Sequence, residues 1–366
     1  MKLANENSFL SPSLVYDQDA IEENLALLVK IAGDQNRLWP HVKSHKCAEL
    51  VKLLMQHGIS RFKCATIAEA EMTAQCGAAQ ALLAYPLVGP NIARFVQLVK
   101  TYEKTTFYAI GDDEKQLELL AEEAVRHGVQ VHLLIDVNDG LKRTGIPVRR
   151  AEELYRRAAR MPGLKVQGMH VYDGHRHEKE LSVRQQLVDQ DLQPVFAMRN
   201  ALVADGLDCS IMVMGGTPSF PCHAQYPDVY LSPGTALLQD AQYQAMFPDL
   251  AFKPAAFLLT RVISHPEDGY FTMDLGTKSV ASDPKLPRAI LLGYEEAETI
   301  KHNEEHWVLR MPEGQEDRRP PIGGVLYAVP KHVCPTSALY GSVLVAQKGE
   351  IVGEWAVTAR DRKIGI

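Results

Sequence analysis

Trp39-Pro40-His41-Val42-Lys43-Ser44-His45-Lys46-Cys47 begins as an apolar strand and ends in a cluster of Lys, His and Cys. Residues 38–42 read as a buried strand, and Lys43 closes it. A lysine at the buried end of a strand loses hydration, which lowers its pKa and makes its amine nucleophilic. Such an amine can form a Schiff base with a carbonyl cofactor. The alternative is a strand end with a solvated Lys and His.

Outward from this stretch the chain alternates. Strand candidates at 38–44, 61–66, 81–85, 105–110, 131–137, 165–172, 210–215 and 228–232 are separated by helical runs at 48–57, 67–75, 92–101, 115–127, 149–160 and 182–205. A strand candidate at 11–16 and a helix from Asp17 to 31, capped by Asp17 or Asp19, precede them. Gly58, Gly77, Gly128 and Gly206 fall where helix C-caps belong. Eight strands with intervening helices over about 220 residues are what a (β/α)8 TIM barrel requires. A doubly wound open sheet is the rival, but no Gly-rich fingerprint follows the first strand. In a barrel the functional residues gather at the C-terminal ends of the strands.

After Gly234 the alternation stops. Strand candidates at 257–263, 269–273, 289–292, 307–310, 325–329, 342–347 and 350–358 predict an all-β second domain, with 312–324 as a surface loop.

The 366 residues suit two domains or a barrel with an appendage, and 46% apolar with 23% charged residues is ordinary for a soluble enzyme. Net charge is −6, and no basic stretch suggests nucleic acid. The N-terminal residues lack a signal pattern, and no apolar run approaches the ~20 residues that span a bilayer. Six cysteines without paired spacing read as reduced thiols of a cytoplasmic protein.

The strand ends carry the chemistry. Lys43 and His45 follow the first. Arg143, in the Gly-flanked loop 139–145 after the fifth, can reach an anionic oxygen or be an exposed loop arginine. The sixth gives Gly168-Met169-His170-Val171-Tyr172-Asp173-Gly174-His175-Arg176-His177, where alternation points His170 and Tyr172 into the barrel mouth together. Gly215-Gly216-Thr217 after the seventh and Gly234-Thr235 after the eighth expose backbone N–H groups that can cradle a phosphate. In the β domain, His332 and Cys334 lie two apart, hence on one face of a strand or turn. They form a soft-metal pair suited to Zn²⁺, or else a buried Cys beside a chance His.

These residues together resemble fold-type III pyridoxal-phosphate enzymes, the alanine-racemase-like barrels, and within them the D-threonine aldolase and D-serine dehydratase group. Pro40-His41-Val42-Lys43-Ser44-His45-Lys46 is similar to the group's cofactor-lysine motif. Arg143 with Gly145 is similar to its pyridine-hydroxyl arginine, and Gly215-Gly216-Thr217 and Gly234-Thr235 to its phosphate loops. Asp274-Leu275-Gly276-Thr277-Lys278 with Asp283, Asn303-Glu304-Glu305-His306, and Pro330-Lys331-His332-Val333-Cys334-Pro335-Thr336 are similar to its β-domain motifs, the last binding a divalent metal.

The resemblance implies pyridoxal 5'-phosphate on Lys43, with Arg143, His170 and Tyr172 around it. It implies zinc, or else manganese or magnesium, on His332 and Cys334. It also implies a barrel over 17–250 and a β domain of 1–16 plus 251–366, a homodimer with shared sites, and D-amino acid substrates. Tyr172 and His177 resemble the aldolases, with one residue fewer between them, whereas His332-Val333-Cys334 resembles the dehydratases. The expected reaction is retro-aldol cleavage with His177 as base. The alternative is dehydration to a keto acid and ammonia. A racemase would need a second acid–base group instead of the metal pair, and a barrel-only cofactor-carrying protein would lack the β domain.

Overall fold

Parallel strands Arg61–Cys64, Gln80–Leu83, Thr106–Gly111, Val131–Asn138, Leu164–Val171, Ile211–Met214 and Tyr230–Leu231 pair in that order in the computed structural model, which describes residues 2–366. The predicted first strand closes the ring, but not as a regular strand. His41 bridges Lys63 and Leu38 bridges Leu231, both parallel, and a 3-10 turn Val42–Ser44 carries Lys43. Pro40 explains the interruption: it has no N–H to give a ladder and its φ is fixed.

Trp39, Leu82, Tyr108, Ile110, Leu134 and Val213 fill the interior, so the barrel is a packed core. Trp39 packs edge-on to Tyr108 with centroids 5.4 Å apart.

The helices begin and end for local reasons. Thr66 Oγ1 accepts from Glu69 N at 3.1 Å and Asp113 Oδ1 from Gln116 N at 3.0 Å, caps worth about 1 kcal/mol each. Asp17, not Asp19, caps the first helix through Ala20 N at 3.2 Å. Gly58, Gly77, Gly128 and Gly206 all have positive φ, as helix stops require.

The chain divides into two units. The barrel unit holds Leu28–Lys43, Ala48–Gly234 and Asp361–Ile366; the β unit holds residues 2–27, Ser44–Cys47 and Thr235–Arg360. In the β unit the sheet order is Glu298–His302, Trp307–Arg310, Tyr270–Met273, Ala256–Ser264, Ser13–Asp17, Ser342–Gln347, Glu350–Ala356, with Val325–Pro330 joining Ala256–Ser264 to Ala289–Leu291. Ser13–Asp17 runs parallel to Ser342–Gln347, and every other pair is antiparallel. Val15, Leu259, Tyr327 and Val329 lie in one of its core clusters.

The expected β domain is there, a mainly antiparallel sheet, with two unforeseen features: Glu298–His302 is a strand too polar to have been read as one, and a short helix, Val333–Leu339, interrupts the strands. His332 is the N-cap of helix Val333–Leu339, not part of a strand. Pro335 lies in that helix's first turn, where a missing N–H costs no intrahelical bond. All six cysteines are free, and among the described residues no helix is long and apolar enough to cross a membrane.

Candidate active site

A cavity of about 540 Å³ in the barrel unit is lined by His41, Lys43, Lys63, Arg143, His170 and Tyr172 with small apolar residues, and no carboxylate lines it. Strand geometry accounts for the convergence: each polar residue lies at or just past the C-terminal end of its strand. Lys43 is half-buried in the 3-10 turn, and its backbone N–H donates to His41 Nδ1 at 3.4 Å. The buried strand-end lysine is Lys63, 2% exposed, whose Nζ donates to Ser232 Oγ at 2.9 Å. Burial, then the charge on Lys43, pushes the Lys63 amine down to about 7.

His170 and Tyr172 do face the same cavity. His170 Nδ1 donates to Asp136 Oδ1 at 2.7 Å, and both side chains are buried. Burial, then the charge of Lys63, holds the imidazole below its ordinary value. Burial would raise Asp136, but the His170 hydrogen bond and charge outweigh it and hold the carboxyl low. The pair is therefore a neutral imidazole on an ionised carboxylate, and His170 Nε2 is a buried lone pair with no partner. The Tyr172 ring is flanked by Lys63 Nζ at 5.1 Å and the Arg143 guanidinium at 4.7 Å from its centroid.

The glycine loops are preformed. Gly215 has φ +72°, and a Cβ on Gly216 would come within 2.8 Å of the Tyr172 ring. Gly216 N donates to Ser219 Oγ and Gly234 N to Thr217 Oγ1, each at 3.1 Å. Beneath them Asp173 is buried between Ser219 Oγ (2.6 Å) and His223 Nε2 (2.7 Å). Burial alone would raise Asp173, but His223 and Ser219 outweigh it and hold it ionised. An unpartnered buried imidazole nitrogen, a glycine cradle and cations without a lining carboxylate fit a phosphorylated, anionic aldehyde.

His177 is exposed in the loop after Leu164–Val171 and does not line the cavity. Its neighbour His175 lies 3.5 Å from Asp191.

In the β unit, Thr235 Oγ1 lies 3.7 Å from Cys334 Sγ, which also donates to Ser44 Oγ at 3.1 Å. His332 and Cys334 meet as expected, by a helix start rather than by strand alternation. Asp240 Oδ2 accepts Val333 N at 3.2 Å and so fixes that start. Asp283 Oδ2 holds His332 Nδ1 at 2.6 Å, as carboxylates do behind metal-binding imidazoles. Burial would lower His332, but Cys334 and Asp283 raise it to about 9. Imidazole, thiol and a supporting carboxylate fit a soft divalent ion whose remaining ligands come from elsewhere. Among the described residues no three His, Cys, Asp or Glu side chains form a cage.

Lys63, Asp136 and the Asp173–Ser219–His223 network went unforeseen. Lys63 left a faint signal, a charge between Phe62 and Cys64 in a strand that is buried from Phe62 on.

The family "Alanine racemase, N-terminal domain" matches residues 16–242, and "Putative serine dehydratase domain" matches residues 255–346. The chain is 28% identical over 358 residues to a D-threonine aldolase of Arthrobacter sp, covering 96% of this chain and 92% of that one. It is 27% identical over 374 residues to a 3-hydroxy-D-aspartate aldolase of Paracoccus denitrificans (strain Pd 1222), covering 98% and 94%. Among solved structures, a D-threonine aldolase from Filomicrobium marinum superposes with a TM-score of 0.89 at 27% identity, covering 97% of this chain and 96% of that one.

Proposed function

Because the chain belongs to the alanine racemase N-terminal domain family, we propose that it is a pyridoxal-phosphate- and divalent-metal-dependent lyase that cleaves D-β-hydroxy amino acids to glycine and an aldehyde. The observation that carries this is the convergence of Lys43, Arg143, His170 and Tyr172 on one cavity without a lining carboxylate. The names of the aligned relatives supply the substrate class.

Lys43 would hold the cofactor through its amine. The loops at 215–217 and 234–235 would lie at its phosphate, and Arg143 at its phenolic oxygen. The Tyr172 ring keeps Arg143 in place from one face. Pyridoxal phosphate supplies an electron sink for charge developing at the substrate's Cα. His332 and Cys334 would hold a divalent ion, which polarises a hydroxyl. His170, oriented by Asp136, has its Nε2 lone pair unpartnered beside the cavity it lines.

Two fates follow from which proton moves. If His177, which would have to be carried in from its exposed loop, takes the proton from the β-hydroxyl oxygen, the Cα–Cβ bond breaks, an aldehyde leaves, and Cα is reprotonated to give glycine. If Lys43 Nζ takes the Cα proton, the β-hydroxyl leaves as water, and hydrolysis gives a keto acid and ammonia. The Cys334 thiol beside His332 favours that second reading, a D-serine or D-3-hydroxyaspartate dehydratase. A homodimer is what the resemblance implies, and the unpaired cysteines suit a cytoplasmic setting.

The test is product identification on a panel of D- and L-β-hydroxy amino acids. D-Threonine or D-phenylserine should give glycine and an aldehyde, and L-isomers nothing. His177→Ala should slow cleavage ~10²–10⁴-fold, the usual worth of a general base, with cofactor binding kept. Keto acid and ammonia as the main products would make the dehydratase the answer.

A further inference from the structure

We propose that Lys63 is the partner of the cofactor's ring nitrogen, donating a hydrogen bond to that atom and keeping it unprotonated. This rests on the cavity being the pyridoxal-phosphate site.

The hydrogen bonds of Ser232 come first. Its Oγ lies 2.8 Å from Gly215 O and 3.1 Å from Met214 O. Carbonyls only accept, so the single hydroxyl proton goes to them, and Ser232 Oγ must accept from Lys63 Nζ at 2.9 Å. The amine spends one N–H there. Neutral, it keeps one more; protonated, two. With the residue 2% exposed, bulk water is out of reach of that remaining N–H, and the cavity that Lys63 lines is where it can find an acceptor. The Tyr172 face, 5.1 Å away, attracts the charge but offers no lone pair. A buried donor left unspent is costly, so the site is built for an acceptor.

Position narrows which acceptor. Met214 ends strand Ile211–Met214, Gly215 opens the loop of 215–217, and Ser232 follows strand Tyr230–Leu231, immediately before 233–235. The open side of the cavity is elsewhere, at Tyr85 (55% exposed) and Val88 (51% exposed), where a substrate would arrive. The amine therefore lies at the buried end of the cavity, away from its exposed residues.

Pyridoxal phosphate presents a phosphate, a phenolic oxygen, an aldehyde and a ring nitrogen, and the ring nitrogen takes its partner from an acidic or a cationic side chain. No carboxylate lines the cavity, and Asp136 Oδ1 is taken by His170. His170 Nε2 is a lone pair, which repels another lone pair. Arg143 lies against the Tyr172 ring and is allotted to the phenolic oxygen. Lys63 remains. An amine that withholds full protonation from the ring leaves it a weaker electron sink.

The test compares pyridoxal phosphate with an analogue carrying carbon in place of the ring nitrogen, both titrated into cofactor-free protein. Wild type should bind the analogue about tenfold or more weakly. Lys63→Met should lose that preference, binding both ligands alike at the analogue's affinity. A preference undiminished in Lys63→Met overturns the proposal. Should Lys63→Met misfold, wild type loaded with cofactor ¹⁵N-labelled in the ring decides: an unprotonated-pyridine resonance is expected, and a pyridinium resonance overturns it. If wild type binds neither ligand, the cofactor reading itself falls, an outcome distinct from binding without preference.

Discussion

The barrel cavity and the start of helix Val333–Leu339 are built on opposite plans. In the cavity, titratable groups are tied to buried partners: His170 to Asp136, Lys63 to Ser232. At the helix start, His332 is 39% exposed and its partner Asp283 57%. A closed polar network suits a ligand that is bound once and kept in one orientation. An exposed pair with positions to spare suits an exchangeable ion. The two halves of the proposed chemistry should accordingly fail in different ways.

Chelation is the largest test of that difference. Stripping the divalent ion should abolish turnover, by on the order of 10³-fold if Lewis-acid polarisation is worth several kcal/mol. The bound-cofactor absorbance and the melting temperature should hardly change. Full activity in stripped enzyme would make His332 and Cys334 structural or incidental.

A smaller effect is expected on the cavity side. The Gly216→Val side chain would start 2.8 Å from the Tyr172 ring. Overpacking costs about 1–3 kcal/mol, so cofactor should bind roughly ten- to a hundredfold more weakly, with metal content unchanged. Unchanged occupancy would move the phosphate away from this loop.

How far these plans were legible depends on the range of the forces involved. Helix Ile67–Gln75 and strands Trp307–Arg310 and Ser342–Gln347 follow from periodicity and caps within a few residues. The stretch 38–44 did not, because Pro40 breaks a ladder that the apolar pattern alone predicts. Helix Val333–Leu339 escaped notice because its start is fixed by Asp240, some ninety residues earlier. The site shows the same divide. Lys43, Arg143, His170 and Tyr172 were found from motifs at strand ends, and the structure gathers them. The buried lysine was misassigned, since the burial of Lys63 is fixed by distant contacts such as that with Ser232, 169 residues on, more than by its neighbours in sequence.

The smallest expected effect reads that buried lysine through stability. In the folded, cofactor-free protein Lys63 loses its proton at about 7, against 10.5 ordinarily. Between those values the unfolded state binds the extra proton, so stability rises with pH across that window and the contribution is flat below it. Burial sets most of the shift; of the charges facing the amine, Lys43 and Arg143 add to it and Asp136 and Asp173 oppose it. Denaturant melts from pH 7 to 10 should show up to roughly 1 kcal/mol per pH unit more slope in wild type than in Lys63→Met. Equal slopes would mean that Lys63 is not held neutral.

On the proposed reading the two lysines that line the cavity would have separate duties, Lys43 to carry the cofactor and Lys63 to serve it. Borohydride reduction of the holoenzyme, followed by peptide mass mapping, tests that division most directly. The label should fall on Lys43, in wild type and in Lys63→Met alike. A label on Lys63, or on any other lysine, would contradict the account.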